Sequence, residues 1–219
     1  MTEHVEVTGI IIKVLPVGDY DRRIVILTSD RGKISAFAKA ARRPNSRFLA
    51  GTTPFTFGIF YLYEGRNSYT VKDIDVKNYF EELRTDFNGA YYGMYFLEMM
   101  DYYTRENNDE KEMLKLLYQS QRALISSALD NRLVQCIFEL KTVMINGEFP
   151  GIPQRSNGTE YLKATQYAVN YIYEAPVEKL YTFSVKPEVL EELREIAHKI
   201  RDTVINFRFK SLEIIDTIS

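Results

Sequence analysis

Residues 21–41 read DRRIVILTSDRGKISAFAKAA. Two short apolar and β-branched runs, Arg23–Thr28 and Lys33–Ala38, flank Ser29-Asp30-Arg31-Gly32, which is a hairpin connection. Upstream, Val5–Leu15 is β-branched and apolar, interrupted by Lys13. Downstream, Phe55–Tyr63 is an aromatic strand, and Tyr69–Val76 alternates with apolar Tyr69, Val71, Ile74 and Val76. Glu64-Gly65-Arg66-Asn67 between them is turn material. Five short strands with close turns, all within 80 residues, predict a small closed or nearly closed barrel.

Beyond residue 80 the period becomes helical. Phe87–Tyr103 is rich in aromatics and methionine, with Tyr91, Met94, Tyr95, Glu98 and Tyr102 at helical offsets. A second helix places Met113, Leu116, Leu117, Ser120 and Leu124 on one face behind an acidic first turn. Asp130 caps a third that runs to Ile145 and is closed by Asn146-Gly147. After a loop, EFPGIPQRSNGTEY, a helical segment spans Tyr161–Tyr173, and Pro187 opens a last helix through Asn206. The expected fold is α+β in two domains, a five-stranded barrel over 1–80 and an all-helical domain over 81–219.

The composition, 45% hydrophobic and 26% charged, is that of a soluble globular protein. No stretch approaches the ~20 apolar residues of a membrane span, and MTEHVEVTG has no apolar signal region, so a cytoplasmic address is expected. Charge is divided unevenly. Residues 1–80 hold 12 Lys and Arg against 8 Asp and Glu; the rest holds 16 against 22. The division suggests two parts with different partners, or two solvated surfaces that differ by chance.

Enzymatic signatures are missing. There is no phosphate-binding G-x-x-x-x-G-K-[ST], no G-x-G-x-x-G and no G-x-S-x-G. Asp19/Asp21 and Asp73/Asp75 read as solvated acids, and His198 as a surface residue of a charged helix. A single cysteine, Cys136, and two distant histidines, His4 and His198, supply neither a disulfide nor a thiolate zinc site. No cofactor or metal is expected. Tyr61 and Tyr63 share one strand face, and Phe60 and Leu62 the other. Such a row stacks bases in some barrels, but a small barrel must also fill its interior, and core is the favoured reading for most of them.

The hairpin leads into AKAARRPNSRFLAG, residues 38–51, with four cations and no acid. Lys39, Arg42, Arg43 and Arg47 in a loop after a strand suit a polyanion, because phosphate neutralisation releases condensed counterions. Arg22, Arg23, Arg31 and Lys33 extend the patch if the hairpin folds back toward the loop, and Arg66 in the last turn is counted with them. A solvated basic loop without a ligand would carry the same residues.

These residues resemble a known family. The stretch from Gly9 through Val71 is similar to the N-terminal domain of the bacterial RecO proteins, with their G-D-D-R-I-V-L-T-x-x-x-G-K, A-K-G-A-R-R-x-x-S-R and L-x-P-F-T-x-G segments. Ala40 stands where that pattern has glycine. FELKTVMINGEFP and VINFRFKSLEII resemble later family segments, so the likeness covers most of the chain.

The resemblance implies an oligonucleotide/oligosaccharide-binding (OB) barrel followed by helices, and a non-enzymatic mediator of DNA repair. It implies binding of single- and double-stranded DNA, strand annealing, and work with RecR to load RecA onto strands covered by single-strand binding protein. That implies a nucleoid-associated cytoplasmic protein with no membrane partner. The acidic tail of single-strand binding protein is expected on helical-domain cations such as Arg122, Arg132 and Lys141. Many members carry a four-cysteine zinc module after the helix corresponding to 130–146, and none of those cysteines is present here. An RNA-binding barrel and a purely protein-binding adaptor are the rival readings; RNA recognition would use the 2′-hydroxyl.

Overall fold

The computed structural model describes residues 4–66, 68–155 and 158–218. Asn67, assigned to the last turn of the barrel, and Ser156 and Asn157 of the long loop lie outside them. Five strands, β1 (His4–Val17), β2 (Asp21–Thr28), β3 (Lys33–Ala38), β4 (Phe57–Glu64) and β5 (Tyr69–Asn78), close in the order β1-β2-β3-β5-β4. β3 and β5 run parallel, and the remaining pairs are antiparallel. β1 is long enough to serve two neighbours, pairing β4 with its first half and β2 with its second, with a register shift between Ile11 and Lys13 where it bends.

Alternation fills the interior. Val7, Ile11, Ile24, Ile26, Ile34, Ala36, Phe60 and Leu62 form the barrel core. Tyr61 and Tyr63, read with the core aromatics, are instead only half-buried on the outer face of β4. Phe55 precedes the strand in which it was placed; its positive φ of 72° turns the chain into β4.

A short α1 (Glu82–Thr85) leads into α2 (Phe87–Tyr103), α3 (Lys111–Leu124), α4 (Asn131–Ile145), α5 (Lys163–Glu174), α6 (Pro187–Val204) and α7 (Lys210–Ile218), with a 3-10 turn at Val177–Lys179. α2 buries Tyr92, Tyr95, Phe96, Met99 and Met100; of the five residues read at helical offsets only Tyr95 is fully buried. Phe96 stacks on Phe138 of α4 at 4.0 Å. Asp130 accepts from the Arg132 amide as the expected cap of α4, and Gly147 follows that helix at φ 71°. Pro187 occupies the first turn of α6. α1, α7 and the 3-10 turn were not foreseen.

The barrel and helices share packing. Ile10, Ile12, Val25 and Leu27, on the outer face of β1 and β2, join the helical core cluster with Phe55. The β2–β3 turn is stitched to the segment after α2: Lys33 N donates to Arg105 O at 2.9 Å and Asn107 N to Arg31 O at 3.0 Å. A Cβ on Gly32 would lie 2.0 Å from the Arg105 carbonyl oxygen, so the glycine of the hairpin signature serves this contact as well as the turn.

Candidate nucleic-acid interface

The basic loop is a folded structure. It rises from β3 and returns over the β1–β2 turn, where the Arg42 amide donates to Tyr20 O at 2.8 Å and its guanidinium to Gly18 O at 3.1 Å. Ala40 adopts φ 53°, the left-handed region that the glycine of the family pattern enters freely, and its amide donates to the Asp21 carboxylate at 2.7 Å. Ala41 is buried, and Phe48 packs against the barrel core. The Arg22 guanidinium holds the far side of the loop, donating to Leu49 O at 2.8 Å, Thr52 O at 3.2 Å and Thr52 Oγ1 at 2.8 Å.

The charge balance is what distinguishes this end of the barrel. Lys39, Arg42 and Arg43 are exposed, and Arg43 lies over the Tyr20 ring at 4.8 Å. Among the described residues, none of Arg22, Arg23, Lys39, Arg42 and Arg43 forms an ion pair. Burial, and then the charge of Arg42, lower the Arg22 pKa, which is the mark of cations gathered without a counterion. Asp19 is exposed in the same turn, while Asp21 is engaged by the Ala40 amide.

Beside the loop, the outer face of the sheet carries a row that sequence reading passed over. Arg23 stands opposite Phe37 on β3 and opposite Leu15 on β1. Leu15 is 39% exposed, and Phe37 alternates outward from the buried Ala36 and Ala38. Arg23 Nε donates to Ser35 Oγ at 2.7 Å. Tyr20, 51% exposed, tops the row at the hairpin turn. The period-2 pattern of β3 assigned Phe37 to the face opposite Ala36. Nothing in the sequence separated a solvent-facing aromatic from one that packs on helices.

Below the row, a cleft of about 470 Å³ is lined by Lys13, Arg23, Lys33 and Arg105. Lys33 belongs to the joint between barrel and helices: it reaches Asp101 of α2 at 2.9 Å, and Lys13 reaches the same carboxylate at 3.0 Å. Burial alone would raise the Asp101 carboxyl, but hydrogen bonds and charge from the two lysines outweigh it and hold the pKa below the ordinary value.

The remaining expected cations separate. Arg31 donates to Glu64 at 3.4 Å and to the Tyr69 hydroxyl at 3.2 Å, at the end of β2 away from the basic loop. Arg66 is exposed in the β4–β5 turn, two residues beyond Glu64. Arg47 pairs with Asp73 at 3.7 Å and lies over the Phe48 ring at 4.6 Å. The patch is therefore Arg22, Arg23, Lys39, Arg42 and Arg43; Lys33, Arg31, Arg47 and Arg66 are not gathered with it. The hairpin does fold back, but its two ends point to opposite ends of the barrel.

The helical-domain cations differ as well. Lys141 is buried, donating to the carbonyls of Ile172, Tyr173 and Ala175 at 2.9, 3.0 and 2.8 Å beyond the last turn of α5, so it is not available to a partner's acidic tail. Arg132 is tied to Asp130 at 2.7 Å and Glu191 at 3.7 Å. Arg122 is exposed.

Residues 1–80 match the family described as Recombination protein O N terminal. A DNA repair protein RecO from Acetivibrio thermocellus is 26% identical over 98% of this chain and 97% of its own length. That from Clostridium perfringens is 24% identical over 98% of each, and that from Alkaliphilus metalliredigens 32% identical over 67% of this chain and 59% of its own. The chain belongs to the RecO family. Membership assigns it to DNA repair and recombination. The RecO pattern's FEL motif is explained by packing: its glutamate, Glu139, is buried and accepts from Tyr95 Oη at 2.7 Å, Gln135 Nε2 at 2.9 Å and Arg201 at 3.0 Å.

The zinc module of many RecO proteins does not fit the residues here. Among the described residues no group of three or more His, Cys, Asp or Glu is placed to hold a metal, and Cys136 lies buried in α4, its thiol pushed up by burial. The loop after α4 is fastened to α6 by charge. Arg155 donates to the buried Glu192 at 2.8 Å, and Glu192 also accepts from the Leu162 amide at 2.9 Å and Thr165 Oγ1 at 2.6 Å. Among the described residues, no helix is long and apolar enough to cross a membrane.

Proposed function

We propose that this chain is a non-enzymatic recombination mediator that binds DNA at the loop end of its barrel. The observation that carries the reading is the cluster Arg22, Lys39, Arg42 and Arg43, unpaired by any carboxylate among the described residues and adjoining the row Leu15–Arg23–Phe37. Cations supply sequence-tolerant affinity by counterion release, and an aromatic ring in the same row offers a base-stacking surface.

In this reading the loop holds one phosphate backbone along Arg42 and Arg43, with Tyr20 beneath the guanidinium of Arg43. A second strand on the same surface is screened from the first, which favours annealing without covalent chemistry. Joint action with RecR, loading of RecA, and contact with the acidic tail of single-strand binding protein complete the proposal; Arg122 is the helical-domain cation left for that tail. A nucleoid-associated, cytoplasmic location follows from DNA binding of this kind.

A fluorescence anisotropy titration of the whole chain with single-stranded DNA, at two salt concentrations, tests the reading, with an RNA of the same sequence as comparison. Salt-sensitive DNA binding with no gain from a 2′-hydroxyl supports it. Preference for RNA would support the RNA-binding alternative, and no salt-sensitive affinity would support the adaptor.

A further inference from the structure

Lys13 lines two clefts. One holds Arg23 and opens toward the basic loop; the other, of about 590 Å³, runs along the seam between β1, α2 and the segment joining α6 to α7. The second cleft is walled by Leu97 and Tyr102 of α2 and by Phe207, Arg208 and Lys210. Phe207 is 55% exposed, a large apolar ring left in water. Its placement is fixed from behind: Tyr102 lies 5.4 Å away and Phe209 5.0 Å, and Phe209 is itself buried 5.4 Å from Tyr95. A ring supported on one side and open on the other is a stacking platform rather than a core residue.

The charges around it favour an anion. The Arg208 side chain is 92% exposed and meets only the exposed Glu213 at 3.2 Å, a contact that phosphate can replace at little cost. Lys210 is exposed as well. The acids of the wall are engaged: Asp101 between Lys13 and Lys33, and Glu98 accepting from Ser211 Oγ at 2.9 Å and from the Ser211 amide at 3.3 Å.

We propose that this seam is a second single-stranded DNA subsite, in which a strand leaving the barrel face at Lys13 stacks a base on Phe207 and places phosphates at Arg208 and Lys210. The subsite rests on the barrel reading above, because Lys13 is the link between the two clefts. It gives the acidic helical domain a direct part in holding DNA.

The test uses the full-length chain with two thymidine oligonucleotides, one of ~8 nucleotides, inside the span of a single barrel, and one of ~30, beyond the ~16-nucleotide upper limit for one. Phe207→Ala is expected to weaken binding of the long strand roughly 5- to 100-fold and to leave the short one unchanged, while Phe207→Tyr retains the affinity. The chain has no tryptophan, so Phe207→Trp supplies a single reporter whose fluorescence the long strand should quench and the short one should not. Unaltered long-strand affinity of Phe207→Ala with no quenching in Phe207→Trp would overturn the subsite. If the pair Arg42→Ala and Arg43→Ala still weakened both lengths in that case, the barrel reading would stand alone. Affinity untouched by that pair would overturn the barrel reading and this extension together.

Discussion

Phe37 and Arg23 face each other across β3 and β2, and Leu15 continues their row on β1. Aromatic ring, guanidinium and aliphatic side chain lie on the outer face of a sheet whose inner face is fully packed, beside the basic loop. Replacing Phe37 by Ala should weaken single-stranded DNA binding by ~1–3 kcal/mol. It removes no charge, so the dependence of affinity on log[salt] should keep its slope. A titration series across salt separates these effects, and a changed slope with unchanged affinity would contradict the assignment of Phe37 to stacking.

Ala40 holds a left-handed conformation that costs an L-residue ~1–2 kcal/mol. Ala40→Gly should raise stability by roughly 0.5–1 kcal/mol, since the relief is partly offset by the larger unfolded-state entropy of glycine. Asp21→Ala, which removes the acceptor of the Ala40 amide, should lower stability by about 1 kcal/mol. Denaturant unfolding measures both. Loss of stability in Ala40→Gly would show that the loop does not hold this turn.

Asp101 joins Lys13 and Lys33 across the seam, and its pKa in the folded chain is lowered. The stability it contributes is fully present above its ordinary value of 3.8 and is lost as pH falls through the lower folded value. Asp101→Asn should therefore be less stable than the parent at pH 7, and the difference should close below pH 3.8. Thermal unfolding of the two chains across pH tests this; a gap that widens in acid would reverse the assignment.

Glu139 holds Arg201, Tyr95 and Gln135 inside the helical domain. Its side chain is 4% exposed and that of Arg201 12%. Glu139→Gln leaves a buried guanidinium without its counter-charge and should cost about 3–5 kcal/mol. Unfolding midpoints in urea would reveal the loss, and a change under ~1 kcal/mol would mean that water reaches the pair.

The strands were legible because alternation and turn residues are local signals: β3 runs over the predicted Lys33–Ala38, and Asp130 caps the predicted helix. α7 was hidden because Lys210–Ile218 is only nine residues long and is held by tertiary contacts such as Ser211 with Glu98. Positive charge was legible as a density along the chain, but its destination was not. Arg31 and Arg23 lie near each other in sequence, yet one meets Glu64 at the far end of β2 while the other faces the open sheet. Lys141 read as surface because its long stem sits in a polar-looking helix, whereas three backbone carbonyls after α5 take its ammonium inside.

The central claim is that unpaired cations of the loop bind phosphate, and a salt-dependence series on the full chain carrying Arg42→Ala and Arg43→Ala tests it most directly. Each lost phosphate contact should reduce the slope of log affinity against log[salt] by ~0.7–0.9, so the double variant should bind single-stranded DNA more weakly and with a slope lower by about 1.4–1.8. Circular dichroism matching the parent establishes that the loop change leaves the fold intact. A folded double variant with the parental slope would contradict the account, and the basic loop would then be a solvated surface.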